Sequence, residues 1–177
     1  MRLSLYDEPG GVETGPGNRV VYDLERNEAW FGAARVDGHA LRWDLEEEPR
    51  GGALLSREVS VGPDWLMRCD RVDFPAGGVA YRHTHPGPGV RCLLHGRIRI
   101  ESEGETREYG PLEPWFESGP EPVFAAASES EETAFVRVML LPSAWAGKRT
   151  ISYVDPGDAD KPRTQRATVL LERPLEP

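Results

Sequence analysis

Glycine and proline recur so regularly in this chain that few uninterrupted stretches are long enough for a helix. The 177 residues include 19 glycines and 16 prolines, spread along the sequence rather than gathered in one linker. Because both residues interrupt regular structure, they divide the chain into short apolar stretches separated by turn signals, which is typical of all-β folds. The string RIRIE at 97–101 alternates charged and apolar residues and predicts a half-buried antiparallel strand.

The same reasoning predicts a series of strands and no long amphipathic helix. The predicted strands are 19–24, 29–36, 40–45, 53–61, 66–74, 90–100, 106–109, 123–127, 134–141 and 167–172. A chain of this length fits one domain. Within it we expect a loose arm at 1–18, a strand extension at 19–72, a core at 73–142 and a tail with a final strand at 143–177.

Composition excludes several classes of partner. The net charge of −9 disfavours nucleic acid, which requires a basic face, and it also disfavours an anionic membrane surface. No run of eighteen apolar residues is present, and the first residues lack the layout of a signal peptide. We therefore expect a cytoplasmic protein. Cys69 and Cys92 lie in no metal-binding pattern and are interpreted as buried thiols.

A His-x-His pair is the strongest indication of a functional site. His83 and His85 alternate along a predicted strand, so both imidazoles project from one face, roughly 7 Å apart at their Cα atoms. Neutral imidazole is the commonest metal ligand in proteins. Alone, however, such a pair is as compatible with a polar surface as with metal binding.

The residues around the pair make it more specific. From Gly77 the sequence reads GGVAYRHTHPGPGVRCLLHG. This segment resembles the first motif of the cupin superfamily, in which a glycine, the His-x-His pair, a glutamate and a second glycine follow at fixed spacing. Gly77, His83, His85 and Gly96 match that spacing. The resemblance covers about residues 73–142 and implies a cupin-type double-stranded antiparallel β-barrel, or jelly roll.

Two positions depart from the cupin pattern. Gly89 stands where the glutamate is expected, and no histidine follows His95, so the ligand of the second motif is missing near Pro122 and Val123. A metal site would then take a carboxylate from Glu113, Glu117 or Glu121. The resemblance implies a divalent transition metal, Fe, Mn, Ni or Zn, held by His83 and His85.

The alternative is a polar pocket without metal. Arg91 shares the strand face of Gly89, and a guanidinium there would repel a cation and bind a carboxylate or phosphate. The predicted pocket residues are Tyr81, which shares parity with His83, together with Arg91, His95, Trp115 and Phe116.

Three functions therefore stay open. The resemblance implies a metal-dependent dioxygenase or isomerase acting on a small molecule at the barrel mouth. The second is a metal-free protein that binds an anionic small molecule, and the third is a structural or regulatory cupin without catalysis. The strands before residue 70 exceed what one barrel needs, and small cupins commonly pair edge strands, so we also expect a homodimer.

Overall fold

The computed structural model describes residues 1–176, which form short strands and two 3₁₀ turns. The first seven strands are β1 (Arg2–Glu8), β2 (Val12–Thr14), β3 (Arg19–Asp23), β4 (Glu28–Phe31), β5 (Ala34–Val36), β6 (Ala40–Glu46) and β7 (Leu55–Glu58). The next eight are β8 (Trp65–Phe74), β9 (Val79–Thr84), β10 (Gly89–His95), β11 (Ile98–Ser102), β12 (Glu105–Tyr109), β13 (Pro114–Glu117), β14 (Val123–Ala127) and β15 (Thr133–Pro142). The tail holds a 3₁₀ turn at Ser143–Trp145, β16 (Ser152–Tyr153), a second turn at Pro156–Asp160 and β17 (Arg166–Pro174).

Three five-stranded antiparallel sheets organise these strands. The N-terminal sheet has the order β4-β3-β6-β1-β7, the middle sheet β13-β10-β15-β8-β17 and the outer sheet β12-β11-β14-β9-β16, while β2 and β5 form a separate pair. Every strand pair is antiparallel, so the predicted all-β antiparallel architecture is confirmed. Neither 3₁₀ turn within residues 1–176 is long and apolar enough to cross a membrane.

The middle sheet is covered on both faces, which explains why its strands are buried almost throughout. On β10, Val90 and Cys92 pack against the N-terminal sheet, whereas Leu93 faces the outer sheet. On β15, nine of the ten residues are buried. Because strand side chains alternate between faces, charged residues of β8, β10 and β15 that face the outer sheet are enclosed within the protein.

The predicted loose arm at 1–18 is wrong for its first half. β1 lies inside the N-terminal sheet, paired with β6 on one side and β7 on the other. Leu3 and Leu5 are fully buried against the middle sheet. The arm becomes a strand because its apolar side chains cover the middle sheet, so the N-terminal strands bury one face within the chain itself.

Candidate functional site

A bulge in β9 determines which side chains face the interior. Val123 of β14 pairs with His83, and Ala125 pairs with Ala80, so β9 has one residue more than its partner between these two pairs. An extra residue in one strand reverses the alternation of side chains beyond it. Ala80 and His83 therefore both face inward, and Tyr81 lies outside the set of residues that line the cavity between the sheets. The parity assumed from the sequence for Tyr81 fails here.

Both imidazoles are oriented by backbone carbonyl groups. Nδ1 of His83 donates to the Tyr81 carbonyl oxygen at 2.6 Å, and Nδ1 of His85 donates to the Thr150 carbonyl oxygen at 2.9 Å. A carbonyl oxygen only accepts, so each ring carries its proton on Nδ1. The Nε2 atoms lie 3.2 Å apart, with the rings nearly perpendicular at 84°. In neutral rings these atoms present two lone pairs to each other.

The surroundings disfavour placing a proton between the two rings. Burial lowers the pKa of His83, although nearby Glu117 opposes that shift. Burial lowers the pKa of His85 well below its ordinary value, and the positive charges of Arg137 and Arg91 add to the effect. Both rings are therefore neutral at pH 7, and the contact between their lone pairs remains uncompensated by protonation.

Glu117 brings a carboxylate to the histidines from the neighbouring strand. On the ladder between β10 and β13 it stands directly opposite Gly89, the position at which the cupin pattern has its glutamate. Glu117 Oε2 lies 3.5 Å from His85 Nε2, and Oε1 accepts a hydrogen bond from Trp115 Nε1 at 2.9 Å. The carboxylate is thus supplied across the strand pair rather than from β10 itself.

Arg91 is fully buried and holds this carboxylate. Its Nη2 lies 2.6 Å from Glu117 Oε2, and its Nη1 donates to the Gly89 carbonyl oxygen at 2.6 Å. The contact with Oε2 is an ion pair outside hydrogen-bond alignment, so Oε2 has no hydrogen-bond donor among the described residues. Burial lowers the pKa of Arg91 to about 10, with Glu117 opposing the shift. Arg91 therefore serves an internal ion pair.

The other predicted pocket residues separate into different places. Trp115 lines the cavity through its buried ring. Phe116, its neighbour on β13, projects from the opposite face and packs between the middle and N-terminal sheets. His95 is exposed at the end of β10, where its Nδ1 donates to the Glu132 carbonyl oxygen at 3.2 Å. Val123 fills the place opposite His83 with an apolar side chain.

The cavity beside the histidines is small and mostly apolar. Its volume is about 30 Å³, enough for one or two water-sized groups. Its lining combines His83, His85, Glu117, Arg137 and Gln165 with the apolar residues Val72, Phe74, Ala80, Ile100, Trp115, Val123, Ala125, Phe135 and Ile151. Ile151 and Gln165 belong to the C-terminal tail, so the tail closes one side of the cavity.

The donor atoms fit a divalent ion, although they are not yet gathered around one. Across residues 1–176, no group of three or more His, Cys, Asp or Glu side chains is arranged to hold a metal. The Nε2 separation of 3.2 Å nevertheless matches two ligands at about 2.1 Å from one ion, at an angle of roughly 90–110°. Metal-bound histidines commonly donate their second N–H to a carbonyl group, as both do here. Glu117 Oε2 is the nearest third donor.

A comparison with models of known protein families, and another with curated proteins, find no match. Solved structures match part of the chain. The DMSP lyase DddQ from Ruegeria pomeroyi DSS-3 is 23% identical, with a TM-score of 0.39 over 41% of this chain and 37% of that one. The polyketide cyclase RemF from Streptomyces resistomycificus is 21% identical, with a TM-score of 0.41 over 50% and 61% of the two chains.

A third match carries the family name itself. A cupin superfamily protein from Desulfitobacterium hafniense DCB-2 is 13% identical, with a TM-score of 0.38 over 48% of this chain and 84% of that one. The similarity to cupins that the first motif indicates is thus found again among solved structures. It concerns the fold alone, and it spans 37% and 61% of the lyase and the cyclase.

Restoring the glutamate of the cupin pattern at position 89 is expected to destabilise the protein. A Cβ atom at Gly89 would lie 2.6 Å from the Val138 carbonyl oxygen and 2.9 Å from both Arg91 Nη1 and Met139 Cγ. Gly89→Glu should therefore lower the free energy of unfolding by at least about 1–3 kcal/mol, measured by urea denaturation. Gly104→Glu, in a turn where a Cβ meets nothing within 4 Å, controls for the added charge, although its positive φ of 77° imposes some strain. Equal losses in both variants would contradict the crowding at Gly89.

Proposed function

We propose that this chain is a metal-binding cupin in which His83, His85 and Glu117 hold one divalent transition-metal ion beside the small cavity. The facing Nε2 atoms carry the proposal. Their protons are fixed on Nδ1 by two carbonyl groups, and burial keeps both rings neutral. A cation between the two lone pairs removes their repulsion, and a proton there is disfavoured by burial and by the nearby arginines.

The surrounding residues support a reaction on a small, largely apolar molecule. A bound ion of this donor set supplies Lewis acidity and open coordination positions, as in two-histidine, one-carboxylate centres that suit Fe(II). The Tyr81 and Thr150 carbonyl groups fix the ring orientations, and Arg91 with Trp115 fixes Glu117. The apolar walls exclude water. We therefore favour a dioxygenase or isomerase among the functions that the sequence leaves open.

Metal content tests the proposal directly. Purified wild-type protein, loaded with Fe(II), Mn(II), Ni(II) or Zn(II) and desalted, should retain near-stoichiometric amounts of at least one of these ions. His83→Ala and His85→Ala should each lower retention by at least about tenfold, because each removes a direct ligand. His95→Ala is the matched control, since His95 is an exposed histidine outside the cavity.

Two outcomes would contradict the metal site. Wild-type protein that is folded yet retains none of the four ions would leave His83 and His85 as a buried polar pair in a binding or regulatory protein. Retention that survives in both cavity variants and falls in His95→Ala would place the metal elsewhere. Circular dichroism of each variant separates loss of metal from loss of fold.

A further inference from the structure

A second pocket lies beside the metal cavity, between the middle sheet and the C-terminal tail. Its volume is about 290 Å³, close to the lower end for small-molecule sites. Five basic residues line it, and no acidic residue is among the described residues of its lining: Arg68, Arg137, Lys148, Arg149 and Arg163. The whole chain carries a net charge of −9, so this concentration of positive charge runs against the overall composition.

The floor of the pocket is a built arrangement of buried charges. Arg68 and Arg137 are each about 5% exposed and share one fully buried carboxylate, Asp70. Arg68 Nε donates to Asp70 Oδ1 at 2.7 Å, and Arg137 donates to Oδ2 through Nε at 3.1 Å and Nη2 at 2.8 Å. Two guanidinium groups on one carboxylate leave a positive charge at the floor.

Contacts of the tail hold the rim of the pocket in place. Arg68 Nη1 donates to the Lys148 carbonyl oxygen at 2.7 Å and contacts Glu172 Oε1 at 3.3 Å. Glu172 Oε2 in turn accepts from the Gly147 backbone N–H at 2.9 Å. Arg149 Nη2 donates to the Tyr153 hydroxyl at 3.0 Å. Only two carboxylates, those of Asp70 and Glu172, thus face five cationic side chains, which leaves an excess of three positive charges.

We infer that this pocket binds a small polyanion, a molecule with two or more phosphate or carboxylate groups. Guanidinium groups bind both kinds of oxyanion through pairs of hydrogen bonds, and a preformed cationic floor lowers the cost of ordering them. The pocket shares Arg137, Ile151 and Gln165 with the metal cavity, and none of the proposed metal ligands lines it. Binding here therefore does not depend on a metal.

Calorimetric titration at fixed ionic strength tests this inference with two probes, inorganic pyrophosphate and the tricarboxylate tricarballylate. Lys148→Ala/Arg163→Ala should weaken binding by about tenfold or more, since each lost charge-assisted contact contributes about 1.5 kcal/mol or less at an exposed rim. Arg166→Ala is the matched control. It lies in the same tail and is exposed, but it does not line the pocket, so its effect should stay below about twofold.

The possible results separate this inference from the metal proposal. Binding of both probes supports a general polyanion site, and binding of one alone assigns it to phosphate or carboxylate. His83→Ala should bind the probes as wild type does, whatever its metal content. The inference is overturned if neither probe binds below about 10 mM, a weak limit for specific recognition. It is also overturned if Arg166→Ala loses as much affinity as the double variant.

Discussion

Replacing Glu117 by alanine is expected to lower the free energy of unfolding of the metal-free protein by about 3–5 kcal/mol. Arg91 is fully exposed to neither water nor any other carboxylate, and its Nη2 lies 2.6 Å from Glu117 Oε2. Removing the carboxylate leaves a buried guanidinium whose listed contact is the Gly89 carbonyl group, and it removes the acceptor of Trp115 Nε1. A buried charge without its partner is among the most destabilising changes a protein can undergo.

Urea denaturation of the chelator-treated variant measures this loss. Glu13→Ala is the control, because it removes an exposed partner of Arg35 at 3.8 Å and should leave stability unchanged within error. Arg91→Met/Glu117→Leu should recover much of the loss, since an apolar pair of similar volume often replaces a buried ion pair at little cost. A single-variant loss below about 1 kcal/mol would show that Arg91 finds another partner or reaches solvent.

Leu5→Ala is expected to cost about 2–5 kcal/mol of stability, although residue 5 lies in a segment that the sequence predicts to be a loose arm. Leu5 is fully buried on β1, where it pairs with Trp43 of β6 and Leu55 of β7. Truncation removes apolar contacts and leaves a cavity that the flanking strands, hydrogen-bonded on both sides, cannot close fully.

Thermal or urea unfolding of Leu5→Ala and Leu54→Ala provides a matched comparison. Leu54 is 42% exposed, so the same chemical change there should cost well under 1 kcal/mol. If residues 1–18 were a loose arm, Leu5→Ala would behave like Leu54→Ala. A clear difference between the two leucines establishes β1 as part of the folded core.

The sequence predicted the all-β class because local signals carry that information. Apolar alternation, turn residues and the His-x-His spacing are all readable within about twenty residues. The role of β1 was not readable, because the segment RLSLYDE is short and mixed in polarity, and its burial depends on β6, β7 and the middle sheet. The bulge at Tyr81 was likewise hidden, since it arises from pairing with β14.

The site divides in the same way between local and long-range information. Glu117 was one of three candidate carboxylates, and only the pairing with Gly89 distinguishes it. Glu113 instead accepts from the Gly110 backbone N–H at 2.6 Å. Arg137 and Asp70 were missed. A charged residue within the apolar run FVRVML was the available signal for Arg137, but its partner lies 67 residues away. The homodimer stays a prediction.

The hydrogen bond from His85 to the Thr150 carbonyl oxygen ties the C-terminal tail to the proposed ion by linkage. The same tail supplies Ile151 and Gln165 to the cavity wall, so lifting it would both open the cavity and free the His85 ring to turn. Reciprocity then requires that a cation which tightens the tail be tightened by the tail to the same degree. Access to the cavity and affinity for the ion are opposing demands on one short stretch of backbone.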